Sequence, residues 1–289
     1  MRSHPASGGP LRHTTIHAAF SLTKIPAGPT ALLMQLADPK LAEIIARSSS
    51  FRGDPSARAI RTMASRLAFR IGTPEQRRDA GHYMGVMHAR VRAENPEVRE
   101  NGNLLWREMA KWIDATVIYA GVAARTRLEG RRSVNELEAA YQAAADFSAV
   151  GGLPRRLRPP SYDAHRRYIG EKIPTLEVSE TARRLAVDIL HPRIGLFRDH
   201  LPAPIAGALE NSASCVITTI TAHLLPPSIA RQYGLDPEMH PWLESTVEAV
   251  SKVLHGIPHP DFTTPLAHHV VNQVFPIAGA DSRLSLIHI

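Results

Sequence analysis

Cysteine is nearly absent from this 289-residue chain, with Cys215 its one example. That excludes a disulfide framework and any zinc or iron–sulfur centre built on thiolates. Lysine is scarce as well: five of the 34 basic residues are Lys and the rest are Arg. Aromatic residues make up only 6%. No long apolar run is uninterrupted. The longest stretch without a charged residue, Asn211 to Ala230, contains several Ser and Thr, His223, Pro226 and Pro227. These groups are costly in hydrocarbon, so the stretch is not expected to span a membrane. Acidic residues are missing from Met1 to Ala37, as in many transit peptides. That segment has neither the apolar core of a secretory signal nor a twin-Arg pair, so neither kind of signal is expected.

What is present is a globular composition, 44% hydrophobic and 21% charged. Such a chain can bury a full core. The net charge of +7 raises the question of a polyanionic partner: nucleic acid, an anionic membrane surface or an anionic ligand. Pairs such as Arg77-Arg78, Arg131-Arg132 and Arg183-Arg184 are spread along the chain among acids. They read as solvated helix faces, and no nucleic-acid partner is expected. A basic helical binding module would instead lose affinity steeply with salt.

Helix-length blocks separated by Pro and Gly predict an all-α fold with no alternating strand pattern. Asp38-Pro39 predicts a helix to about Arg47, with Asp38 as N-cap and Pro39 in the first helical position. Asp54-Pro55 starts a helix to about Ile71, which Gly72 ends. Thr73-Pro74-Glu75-Gln76 is a capping box that opens a long helix to about Ala93. Further helices are predicted near Asn103–Ala124, Ser133–Val150, Tyr162–Ile173, Ser179–Leu190, Ile205–Leu224, Pro227–Tyr233, Pro237–His255 and Pro265–Val274. Residues 1–24 are expected to be a flexible tail, 25–276 one domain, and 277–289 a C-terminal tail. The last residues, Leu284 to Ile289, resemble read-through into vector or adapter sequence.

Several chemistries have no motif. There is no Walker loop, dinucleotide-binding glycine fingerprint, zinc-protease HExxH or serine-hydrolase elbow. His255 and His259 are separated by Gly256 and Pro258, while His268 and His269 are adjacent and face different ways. Neither pair is expected to hold a metal.

Two helices could carry chemistry. On Pro55–Ile71 the apolar face is Ile60, Met63, Ala64, Leu67 and Ile71; Arg58, Arg61, Thr62 and Ser65 lie opposite. Two guanidiniums with a hydroxyl beside them suit a carboxylate or phosphate, or simply face water. On the next helix His88 shares a face with Gly81, Met84, Gly85 and Val91. The two glycines either open a flat surface beside the imidazole, suited to a flat cofactor, or admit another helix closely.

The order of these elements carries a resemblance. Thr30-Ala31-Leu32-Leu33-Met34-Gln35-Leu36-Ala37-Asp38-Pro39 is followed by Phe51-Arg52-Gly53-Asp54-Pro55. Arg58-Ala59-Ile60-Arg61-Thr62 comes next, then Phe69-Arg70-Ile71-Gly72-Thr73 and Met87-His88-Ala89-Arg90-Val91-Arg92. Leu104-Leu105-Trp106, Leu224-Leu225-Pro226-Pro227 and Tyr233-Gly234-Leu235 complete the pattern. From about Ile25 to Leu254 the chain resembles the catalytic domain shared by rubber oxygenases (latex-clearing proteins) and the ER-bound oxygenase of the mycophenolic acid pathway.

The resemblance implies an all-α domain enclosing a b-type haem. It implies His88 as the iron ligand, with Arg58 and Thr62 near the haem. A family lysine that can act as a distal ligand corresponds here to Arg61, and a guanidinium is not expected to ligate iron. Arg58 or Arg61 would pair with a propionate or polarise dioxygen, Thr62 would donate a hydrogen bond, and Met63 and Leu67 would line an apolar pocket. The implied activity is haem-dependent oxidation of an apolar, isoprenoid or lipid-like small molecule by dioxygen. With no export signal expected, the expected setting is cytoplasmic, with peripheral membrane contact as an option. The chain departs from the family at Asp38, where many members have His, at Ala93, where many have Gly, and at Arg107 and Glu108 after the Trp. Glu43 is the nearest carboxylate to a catalytic glutamate of the rubber enzymes. These departures motivate an alternative: a non-catalytic protein of the same fold that binds haem or a hydrophobic ligand.

Overall fold

A computed structural model describes residues 27–47, 61, 64–65, 67–69, 71–100, 104–145, 148, 153–192, 201–235, 245 and 263–276. The described residues form helices and turns, with no strand among them. The expected all-α fold is therefore observed. The predicted helix from Pro237 to His255 lies outside the described residues apart from Ser245, and Leu284 to Ile289 lie outside them altogether.

The core is built around the first helix, α1 (Ala27–Leu36), which buries most of its residues, among them Thr30, Leu33, Met34 and Gln35. Fully burying one such Leu or Met contributes about 1.5–3 kcal/mol. α2 (Pro39–Arg47) follows directly. As expected, Asp38 caps it: one carboxylate oxygen accepts the N–H groups of Lys40 and Leu41 at 3.1 and 3.3 Å. The other accepts a 3.1 Å hydrogen bond from Lys172 Nζ.

α3 (Pro74–Glu94) starts in the expected capping box. Thr73 Oγ1 accepts from Gln76 N–H, and the Gln76 side chain accepts from Thr73 N–H. A short α4 (Pro96–Glu100) follows the C-cap Asn95, a helix the sequence reading lacked. α5 (Leu104–Glu129) runs past the predicted end at Ala124 and stops at Gly130, whose φ of 93° favours glycine. α6 (Val134–Ala143) is shorter than expected: a turn at Ala144 interrupts the predicted run to Val150.

A 3-10 turn (Arg155–Leu157), α7 (Tyr162–Lys172), α8 (Glu180–Leu190), α9 (Ala203–Leu224), α10 (Pro227–Gln232) and α11 (Thr263–Val274) complete the described chain. α1 packs on α5, α8 and α9, and α2 packs on α8. Across the α1–α5 contact, buried Gln35 donates to Thr116 Oγ1 at 3.0 Å. Tyr233, just after α10, donates its hydroxyl proton to the Leu33 carbonyl at 2.9 Å. Both bonds give polar groups partners inside the core, where an unmet one is costly.

The segment before α3 belongs to a second cluster. Ala64, Leu67 and Ala68 are buried against Ala80 of α3 and against Val271 and Phe275 at the other end of the chain. Ser65, expected on the polar face, is also buried, and its hydroxyl donates to the Arg61 carbonyl at 2.9 Å. The helix back-bonds its own hydroxyl, so this position tolerates burial. Gly72 closes the segment for a steric reason: an added Cβ would lie 2.5 Å from the Ala68 carbonyl oxygen.

A buried polar group ties α5, α6 and α7 together. Arg158 bonds Asp114 at 3.3 Å and the Tyr141 carbonyl at 2.7 Å, with its guanidinium 3.8 Å from the Tyr141 ring centroid. Asp114 also accepts the Ser148 hydroxyl at 2.5 Å. His165 stacks on Tyr141, with centroids 5.4 Å apart. Burial, and next the Arg158 charge, push the His165 imidazole down to about 4 from its usual 6.5. Burial lifts Tyr141 to about 12 against the opposing pull of Arg158.

Gly72→Ala should lower stability by roughly 1–3 kcal/mol in urea unfolding, because the added methyl must displace backbone. For His165 the unfolded chain binds a proton below 6.5 while the folded chain resists it down to about 4. Stability should therefore fall as pH drops through that window and level off below it, by about 2 kcal/mol between pH 7.5 and 5. His165→Phe, which cannot titrate, should lack that increment when urea midpoints are compared at the two pH values.

Candidate functional site

α3 is gripped at both ends and open between them. At its first turn buried Gln76 donates to Asn272 Oδ1 at 2.8 Å and to the Phe275 carbonyl at 2.9 Å. Ala80, one turn on, is fully buried. At the other end the fully buried Asn95 donates to the Val91 carbonyl at 2.7 Å, and Val91 packs on the principal core. The helix thus runs one residue past Ala93 and is closed by a side chain, so the glycine that many family members place there is not needed. The buried residues of α3 are Gln76 and Ala80 alone, so its middle projects from the core.

His88 sits on that open middle, half-buried. Its ring meets Trp106 of α5 edge to face, with centroids 5.0 Å apart and planes at 70°. Arg92, one turn beyond His88 on the same face, places its guanidinium 5.1 Å from the Trp106 ring centroid. Leu105 and Trp106 pack on the principal core, so the indole is a fixed surface rather than a free one. Trp106 and Arg92 both lie in motifs that carry the family resemblance, but the sequence assigns neither a role at the site. The signal available for Arg92 was its four-residue spacing from His88; for Trp106 it was its motif alone, since its contact with His88 is made between helices.

The glycines beside His88 can now be read. Among the described residues, a Cβ added at Gly85 would meet nothing within 4 Å, and one at Gly81 would meet only the Phe69 ring edge at 3.6 Å, an ordinary contact. No helix among the described residues approaches them closely. Gly85, one turn before His88, leaves open space beside the imidazole.

The other expected residues divide. Arg58, Thr62 and Met63 lie outside the described residues. Arg61 is helical and half-buried. Its segment packs against α3 around Ala80 and Gly81, about two turns or ~12 Å along the helix from His88. Leu67 is buried with Ala80, Val271 and Phe275. Glu43, Arg107 and Glu108 are exposed. Asp38 has structural work as the cap of α2 and the partner of Lys172. Cys215 is exposed on α9. Among the described residues no three His, Cys, Asp or Glu side chains gather as a metal site. Among them, too, no helix is long and apolar enough to cross a membrane.

The sequence model of the family described as ER-bound oxygenase mpaB/B'/rubber oxygenase, catalytic domain, matches residues 15–254, most of the chain. The chain belongs to this family. No curated protein and no solved structure gives a significant match. Membership of an oxygenase catalytic-domain family makes this an oxygenase-like protein, and the match takes in the 61–71 segment, α3 and α5.

Gly85→Ala should raise the melting temperature of the cofactor-free protein, by an amount equivalent to up to about 1 kcal/mol. A methyl there meets no described residue, and Ala is the better helix former. A fall in melting temperature would mean that the space beside His88 is filled by packing.

Proposed function

We propose that this protein is a haem b-dependent oxygenase-like oxidoreductase acting with dioxygen on an apolar, isoprenoid or lipid-like small molecule, and that His88 is its iron ligand. One observation carries the reading. A half-buried His stands on the open middle of α3 beside a glycine over which no described residue comes within 4 Å, within a chain of oxygenase family membership.

The residues fit the group. The His88 imidazole would supply a nitrogen donor suited to haem iron. A flat macrocycle needs a flat surface next to that imidazole, and Gly85 leaves one. Arg61, on a helix packed against α3, supplies a permanent cation that suits a haem propionate. Arg58 and Thr62 are assigned alongside it on the family resemblance alone. When bound, haem iron would supply the activation of dioxygen that no side chain provides. This chain's part is to hold the imidazole, place cations near the propionates and keep an apolar substrate out of water. An apolar substrate partitions into membranes, so the reading includes a cytoplasmic protein with peripheral membrane contact. Asp38 caps a helix, and Arg107 and Glu108 are exposed. These departures bear on structure and surface, and they give little support to the non-catalytic alternative.

Absorption spectroscopy of the purified protein, as isolated and after hemin addition, tests the proposal. A Soret band should appear, and His88→Ala should shift it and weaken hemin binding at least about ten-fold, in line with loss of a metal ligand. A wild-type protein that shows no Soret band in either state would end the reading. Oxygen uptake with an isoprenoid then separates the enzyme from a haem carrier.

A further inference from the structure

We infer that Trp106 is a positioning residue for His88, fixing the imidazole before iron arrives, and that Arg92 adds a second contact from α3 to the same indole. The inference rests on the reading of His88 as an iron ligand.

An exposed histidine can turn about both of its side-chain torsions, and only a narrow set of orientations suits an axial ligand. Ordering the ring has an entropic cost when no neighbour fixes it beforehand. Here a neighbour does so. The Trp106 and His88 rings meet edge to face at 5.0 Å and 70°, within the preferred geometry for aromatic pairs. Trp106 is seated on the principal core through the first turns of α5, so it does not move with α3.

The chemistry of the indole matters as much as its position. Its N–H donates and its ring accepts no conventional hydrogen bond. An Asp or backbone carbonyl in this place would occupy one imidazole nitrogen. Trp106 restrains the ring through its aromatic face and edge, a contact compatible with one nitrogen on iron and the other on an acceptor that sets the tautomer. Arg92 completes the arrangement. It lies one turn from His88 on α3, and its guanidinium is 5.1 Å from the indole centroid. The two α3 side chains therefore both contact one fixed ring, which sets the rotation of the open part of α3 as well as the imidazole. By contrast Trp112, farther along α5, is almost fully buried and belongs to the core itself.

The test uses the full chain, hemin titration and electron paramagnetic resonance of the ferric protein. The variants are Trp106→Leu, Trp106→Phe and Arg92→Gln, with circular dichroism reporting folding. Trp106→Leu should weaken hemin binding about ten-fold and broaden the ferric signal as the ligand ring samples several orientations. Trp106→Phe keeps an aromatic contact and should restore most of both. Arg92→Gln should broaden the signal with a smaller loss of affinity. If Trp106→Leu does not fold, Arg92→Gln decides: a broadened signal supports the inference and an unchanged one overturns it. Variants that lose thermal stability but bind hemin with wild-type affinity and an unbroadened signal show a packing role only, which overturns it. A wild-type chain that takes up no hemin defeats the functional reading and this inference together. Failure confined to the variants defeats this inference alone.

Discussion

Burial of most of α1 is the constraint from which the rest of the architecture follows. A ten-residue helix cannot be surrounded unless longer helices enclose it, and α5, α8 and α9 do so. That burial also obliges the enclosed polar groups of α1 to find partners inside the protein. Gln35 reaches Thr116, and the Leu33 carbonyl accepts from Tyr233. The first bond draws in α5 and the second the turn after α10. The ion pair of Asp38 with Lys172 then joins the start of α2 to the end of α7. Residues distant in sequence are held by a few hydrogen bonds whose alternative is an unsatisfied buried group.

α3 is attached to this body differently. Its ends are held by polar side chains, Gln76 at one and Asn95 at the other, while its middle carries glycines and half-exposed side chains. A helix built that way has a defined axis and an uncovered face, and His88 lies on it. The long α5 brings Trp106 to the same place from the core. The candidate site is thus made where a rigid helix end meets an open helix middle, and its rigidity comes from the core side.

Local signals were legible in the sequence and tertiary ones were not. Asp38-Pro39 and the Thr73–Gln76 box act as read, because a cap is decided by the residues that form it. The end of α5 was misplaced because residues 122–129 have the same helical composition as those before them; the stop is the left-handed Gly130. The turn at Ala144 was missed because alanines favour a helix, while Ser148 beyond it is held by Asp114 from another helix. At the site, His88 and the open face at Gly85 could be read from spacing and from the resemblance. Ser65 was assigned to water because periodicity places a face but does not say how wide the buried arc is. Trp106 and the Arg158–Tyr141–His165 group arise from contacts between helices, which no period along one helix encodes.

The central claim is that one side chain, His88, bonds the iron of a haem. Resonance Raman spectroscopy of the reduced protein addresses that bond itself. The account predicts an iron–imidazole stretching band in the wild type, its loss in His88→Gly, and its return when free imidazole fills the space left by the side chain. The same band in His88→Gly without added imidazole would show that another residue holds the iron, and would contradict the account.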